Sequence, residues 1–229
     1  MPSPSTTLFI CEGDQSRLWD LKEPKQLANF TGRPLLARTI EQIDRCAKTQ
    51  IIINAEMSRS WQDFARDRGL PLVTEPGKKP DQDFLDVLVH FREMFDKDGP
   101  TYILYGDVVW SERMIRELYK ERDAGIWFAT RFSPTMGTGT WRAEIFGFRV
   151  LPSFLPRLDE MLASRQMSPY HKAHDIWDLF HWLMDSRDGT QGEPGFLDAG
   201  DDDYTLDIDY PGDLRDLPML EIFAGDEQC

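Results

Sequence analysis

Cations and carboxylates that stand at the ends of apolar runs are the residues best placed to do chemistry here. The stretch "CEGDQSRLWDLKEPK" (11–25) carries Gly13, Ser16 and Arg17, with Lys25 eight residues on. Such a loop can wrap backbone N–H groups and two cations around a polyphosphate, or it can be an ordinary solvated loop. Asp107, in "LYGDVVW", ends a second apolar run behind Gly106, where a backbone or ligand can approach closely. A carboxylate in that position needs a partner, and a divalent cation bridging phosphates is a common one. Ser111 is the better cap for the helix that follows. Asp207 and Asp209 alternate with Leu206 and Ile208, so both project to one side of a strand. With Asp107 they would form an oxygen-ligand site suited to Mg²⁺. Asp201, Asp202 and Asp203 are expected to form a solvated acidic turn, where one charge fewer changes little. Asp213, after "YPG", is expected in the first turn of a last helix.

The elements that must position these residues follow from periodicity. "TTLFIC" (6–11), "QIIINA" (50–55), "PLVTE" (71–75) and "TYILYGDVVW" (101–110) are expected strands, the last one central because it is nearly continuously apolar. Helical spacing marks "PLLARTIEQIDRCAK" (34–48), "SRSWQDFARDRG" (58–69), "PDQDFLDVLVHFREMF" (80–95) and "SERMIRELYKER" (111–122). Further on, "GIWFATRF" (125–132) and "AEIFGFRVL" (143–151) read as strands around a Gly/Thr-rich loop, and "HDIWDLFHWLMDS" (174–186) as an amphipathic helix. The alternation predicts an α/β protein, a single domain over residues 1–229 with a doubly wound, mostly parallel, Rossmann-like sheet.

Composition bounds the partners. A net charge of −14 argues against a nucleic-acid or anionic-membrane surface but not against a small anionic substrate, for which a few local cations suffice. Cys11, Cys46 and Cys229 have no metal-ligand spacing and point to a reducing compartment. With neither a leader-like N-terminus nor an apolar run of membrane length, the expectation is a soluble, cytoplasmic protein. His171, His174 and His181 lack H-E-x-x-H spacing and read as a helix face rather than a zinc site.

"EGDQSRLWDLKEPKQLANFTGRPLLARTIEQI", "LYGDVVWS" and "LDIDYPGDLRDL" together resemble the three signatures of the GT-A-like nucleotidyltransferases, which make nucleotide-sugars and related activated alcohols. The resemblance runs through most of the chain in order. It implies that Arg17 is the phosphate-loop arginine, Lys25 the Pro-Lys lysine, Asp107 the strand-end metal aspartate and Asp209 the second metal aspartate. It implies that Glu144 and Gly147 face the second substrate, and that Lys78 and Lys79 of "PGKKP" lie near the nucleobase or phosphates, although they also read as an exposed loop. The implied partners are a nucleoside triphosphate, with a lean to pyrimidines, and a small phosphorylated acceptor, with Mg²⁺ as cofactor. The oligomeric state stays open. One departure stands in the loop: Gln15 replaces a glycine, and Glu12 and Asp14 flank it with negative charge. That feature favours a second reading, a non-catalytic nucleotide-binding protein. A third, a GT-A glycosyltransferase, would want Asp-x-Asp at the central strand, where "GDVV" offers one aspartate.

Overall fold

The computed structural model describes residues 5–11, 24–30, 32–55, 58–74, 84–123, 125–133, 142–164, 194–200 and 203–208, and positions 176, 179, 180 and 183. In chain order, β1 (Thr6–Ile10) is followed by a 3-10 turn (Lys25–Leu27) and a small hairpin of β2 (Asn29–Phe30) and β3 (Arg33–Pro34). Then come α1 (Leu35–Cys46), β4 (Gln50–Asn54), α2 (Arg59–Arg68), β5 (Leu72–Val73), α3 (Phe84–Phe91), β6 (Thr101–Tyr105), β7 (Val108–Val109) and α4 (Glu112–Tyr119). The second half contributes β8 (Ile126–Ser133), β9 (Arg142–Val150), α5 (Leu155–Ser164), β10 (Gly195–Asp198) and β11 (Leu206–Asp207).

Seven strands form the main sheet in the order β10-β8-β9-β6-β1-β4-β5. All run the same way except β9, which pairs antiparallel with both β6 and β8. The doubly wound, mostly parallel sheet expected from the sequence is therefore present. Strand alternation sends Phe9 into one core with Leu36, Ile40, Trp61, Leu104 and Leu118, beneath α1, α2 and α4. Leu8 and Ile10 enter the other, with Leu88, Phe91, Ile103, Phe148 and Leu158 from α3, β6, β9 and α5. Ile176, Leu179 and Leu183 join that second core, as the amphipathic pattern of 174–186 predicts.

After β1 the chain builds β4 and β5 on one side, then crosses back to place β6 on the other. That reversal is the topological switch point, and the crevice outside the carboxyl ends of β1 and β6 is where open α/β sheets bind ligands. Ile10 is level with Asn54 on β4 and with Tyr105 on β6, so three strand ends open there together.

Two expected elements differ in extent. The helix expected over 80–95 occupies Phe84–Phe91 and ends in a 3-10 turn, Arg92–Met94, while 80–83 lie outside the described residues. The strand expected over 101–110 breaks after Tyr105. The Gly106 amide still donates to the Ile10 carbonyl at 2.9 Å, but Val108 and Val109 leave the sheet to pair with β11. Close approach explains the break: a Cβ on Gly106 would lie 2.4 Å from Cys11 Sγ and 3.3 Å from Gln26 Cγ.

Gly147 marks a second close approach. It is buried on β9, where a Cβ would lie 2.5 Å from the Ile103 carbonyl oxygen of β6. Because the obstacle is backbone, Gly147→Ala must push two central strands apart. We expect a loss of about 2 kcal/mol, or ~4–8 °C in Tm, read by thermal unfolding. An unchanged Tm would show that β9 can shift freely.

Candidate active site

Lys25 is presented by a turn that the chain buries. Pro24 fixes the entry to the turn, the Leu27 amide donates to the Pro24 carbonyl at 2.8 Å, and the Ala28 amide to the Lys25 carbonyl at 3.1 Å. Leu27 packs into the core with Phe9 and Leu36, and Gln26 is buried beneath Gly106. The Lys25 side chain cannot follow them into apolar surroundings without a counter-charge. It finds one at the end of β6: Nζ lies 2.5 Å from Asp107 Oδ2, and donates to the Ile208 carbonyl at 2.7 Å. The pair is nearly enclosed, with side chains 8% and 15% exposed.

Ile208 reaches this point because β11 runs antiparallel to β7, with Asp207 opposite Val108 and Leu206 opposite Val109. The Ile208 amide donates to the Asp107 carbonyl at 3.2 Å, closing the ladder at the level of the ion pair. Three segments distant in sequence thus meet around one ammonium group. The Asp107 carboxylate and the Ile208 carbonyl are oxygens of the kind that Mg²⁺ also takes, so they suit a hard cation. Among the described residues no group of three His, Cys, Asp or Glu gathers as a ready-made metal cluster.

The segment leading to β11 is fixed by buried polar contacts. Asp203 Oδ2 accepts from the Ser111 hydroxyl at 2.7 Å and from Arg113 Nε at 3.0 Å, and Oδ1 accepts from the Thr205 amide at 2.7 Å. Arg38 of α1 donates to the Trp110 carbonyl at 2.7 Å and to the Tyr204 hydroxyl at 3.1 Å. Ser111 also caps α4, accepting from the Met114 amide at 2.9 Å, as expected. Burial alone would raise the Asp203 carboxyl, but hydrogen bonds from Thr205 and Ser111, then Arg113, outweigh it and hold the group below its ordinary value. The expectation that Asp203 belongs to a solvated turn is therefore wrong. Its side chain is 2% exposed, because a carboxylate offered several donors at once gains more from them than from water.

Of the predicted site residues, the structure brings Lys25, Gly106, Asp107 and the β11 segment with Asp207 together. Glu144 is exposed on β9, opposite Arg131 of β8 at the same edge of the sheet, and Gly147 is buried against β6. Gly13, Gln15, Ser16, Arg17, Lys78, Lys79 and Asp209, like the three histidines at 171, 174 and 181, lie outside the described residues. Sequence reasoning passed over Asn54. It ends β4 fully buried, its backbone carbonyl accepts from the Cys11 amide at 2.8 Å, and neither side-chain polar atom has a hydrogen-bond partner among the described residues. A buried amide without partners is costly, and this one stands beside the switch point. An asparagine closing the apolar run "QIIIN" was the available signal.

Residues 11–169 match the MobA-like NTP transferase domain. The chain belongs to that family, and its class is that of the nucleotidyltransferases. No curated protein matches the sequence. Among solved structures, the inositol-1-phosphate CTP transferase from T. maritima superposes with a TM-score of 0.66 at 11% identity, over 96% of this chain and 95% of that one. A Bacillus anthracis protein provisionally assigned as a glucose-1-phosphate thymidylyltransferase gives 0.65 at 11% identity, covering 94% of each chain. The CTP:phosphocholine cytidylyltransferase of Streptococcus pneumoniae gives 0.59 at 16% identity, over 95% of this chain and 99% of that one. At these identities the likeness is one of fold. No helix among the described residues is long and apolar enough to cross a membrane.

The Asp203 contacts predict an acid dependence of stability. A carboxyl held below its unfolded value of about 3.9 stabilises the fold above that pH and loses its contribution as pH falls through the lower folded value. The stability difference between wild type and Asp203→Asn, measured by urea unfolding, should therefore be largest near pH 6. It should shrink steadily below pH ~4. A difference that stays constant down to acid pH would contradict the assignment of charge to Asp203.

Proposed function

We propose that the chain is an Mg²⁺-dependent nucleotidyltransferase that transfers a nucleotidyl group from a nucleoside triphosphate to a small phosphorylated sugar or alcohol. The observation that supports it most is the nearly enclosed Lys25–Asp107 pair at the switch point, closed over by the Ile208 carbonyl. An acceptor phosphate oxygen attacks the α-phosphorus, a new P–O bond forms, the bond to the β-phosphate oxygen breaks, and pyrophosphate leaves. Mg²⁺, when bound, offsets charge on the phosphates and on the departing pyrophosphate.

The protein's own residues bind and orient. Asp107 would hold the metal, with Asp209 and Asp207 from the β11 segment as the other carboxylates. Lys25 and Arg17 would donate to phosphate oxygens, alongside backbone N–H groups around Gly13 and Ser16. Asn54 offers a donor and an acceptor, the pattern that a ribose or base edge can satisfy. Lys78 and Lys79 would face the nucleotide and Glu144 the acceptor. A pyrimidine triphosphate is favoured, since two of the structural relatives are named for CTP. Both substrates are soluble metabolites, in keeping with a cytoplasmic enzyme.

The direct test incubates the protein with Mg²⁺, each nucleoside triphosphate in turn, a panel of phosphate esters and inorganic pyrophosphatase. Phosphate release that requires one triphosphate and one ester is expected. Silence across the panel would favour a non-catalytic nucleotide binder, the reading that Gln15 suggests.

Lys25→Ala is expected to lower turnover by ~10²-fold or more at saturating substrate, the scale for losing one preorganised charge beside a phosphate transition state. A loss confined to KM would restrict Lys25 to ground-state binding. Asp107→Ala is expected to abolish turnover. That variant should also lose stability, because it removes a carboxylate lying 2.5 Å from an enclosed ammonium. A cost of the order of 3 kcal/mol is expected in denaturant unfolding, and the double variant Lys25→Met/Asp107→Ala should recover part of it.

A further inference from the structure

The ladder between β7 and β11 is two residues long, too short to hold its own register. Yet register matters greatly there, because a slip of one residue turns every side chain to the opposite face. A slip would bring buried Ile208 outward and turn Asp207 to the opposite face. Something outside the ladder must set the alignment.

Asp203 stands where such an anchor is needed. Its carboxylate takes the Ser111 hydroxyl and Arg113 Nε on one oxygen and the Thr205 amide on the other. The Asp203 carbonyl accepts from Arg131 Nη2 at 2.5 Å, and Arg113 also donates to the Ala199 carbonyl. Thr205 Oγ1 accepts from the Ser111 amide at 3.1 Å, tying the strand to the second residue beyond β7. From this cluster the chain runs through Leu206 and Asp207 to Ile208, which bonds Asp107 and Lys25. The anchor at 111/203 and the site at 107/208 are the two ends of one short ribbon.

We propose that Asp203 is a positioning residue for the metal site: it fixes the register of 206–208 against 107–109 and so sets how β11, with Asp207, meets Asp107. The inference rests on the reading of Asp107 as a metal ligand. Asp203 touches neither metal nor nucleotide and acts only through the ribbon.

Asp203→Asn tests it. The amide keeps the volume but turns a nitrogen toward donors that need an acceptor, either Arg113 Nε and the Ser111 hydroxyl together or the Thr205 amide. Mn²⁺ binding is followed by electron paramagnetic resonance with CTP present and no acceptor, so no turnover intervenes. The half-saturating Mn²⁺ concentration is expected to rise ~10-fold in Asp203→Asn, and exchange at the Ile208 amide to accelerate. Leu158→Ala, in the opposite core, should lower Tm at least as far and leave both readouts at wild-type values. Should Asp203→Asn fail to fold, Thr205→Val removes one arm of the same cluster and should shift Mn²⁺ binding in the same direction. Wild-type Mn²⁺ affinity and Ile208 exchange in a folded variant at either position would overturn the positioning role. Wild-type protein that binds no Mn²⁺ with CTP would overturn the metal reading itself, and this inference with it.

Discussion

A buried ammonium group makes the severest demand in this fold. Lys25 sits in a turn whose neighbours, Gln26 and Leu27, are enclosed, so its charge must be met inside the protein. The cost of withdrawing an ion from water is several kcal/mol, and only a close counter-ion with further hydrogen bonds offsets it. Asp107 and the Ile208 carbonyl supply these. Much of the local architecture follows from that requirement. Gly106 must lack a side chain so that β6 can end against Cys11 and Gln26, β7 must leave the sheet, and β11 must return to meet it. The contact links the turn after β1, the end of β6 and the last described strand.

How legible was this in the sequence? Regular periodicity gave the helices of the first half and the strand order's mostly parallel character, because those elements bury one face or two and say so in their apolar spacing. Lys25 and Asp107 stood out because charges at the ends of apolar runs need partners. What could not be read was pairing across distance. "TYILYGDVVW" is nearly continuously apolar, so its pattern does not reveal that one strand ends before Gly106 and that Val108 begins another in a different sheet. The cause lies in Cys11, ninety-five residues earlier, whose sulfur occupies the space beside Gly106.

Asp203 shows the same limit more sharply. Three aspartates in a row look alike to any argument from charge density, which rightly treats most such residues as solvated. Asp203 turned inward because Ser111, Arg113 and the Thr205 amide converge on it, and two of these come from another segment. Asn54 escaped notice, and the close packing of Gly147 was not foreseen, for related reasons. An asparagine with no partner among the described residues and a glycine pressed on a neighbouring strand declare themselves only when surroundings are known.

The enclosed ion pair also reconciles an acidic protein with an anionic substrate. A chain of net charge −14 repels a triphosphate at long range, although salt screens that field beyond about 8 Å. Attraction must therefore come from cations close to the phosphates, yet a lone enclosed lysine would be costly while the site waits. Pairing with Asp107 gives the ammonium a counter-charge and holds it in position in the free protein. In the proposed reaction the same two side chains then have different partners to satisfy, Lys25 the phosphates and Asp107 a divalent cation. Triphosphate and metal together bring the opposite charges that such an exchange needs, whereas either alone would leave one of the pair facing a like charge or none. The pairing thus makes the approach of nucleotide and cation mutually favourable, and that coupling is a property of two residues set eighty-two positions apart in the chain.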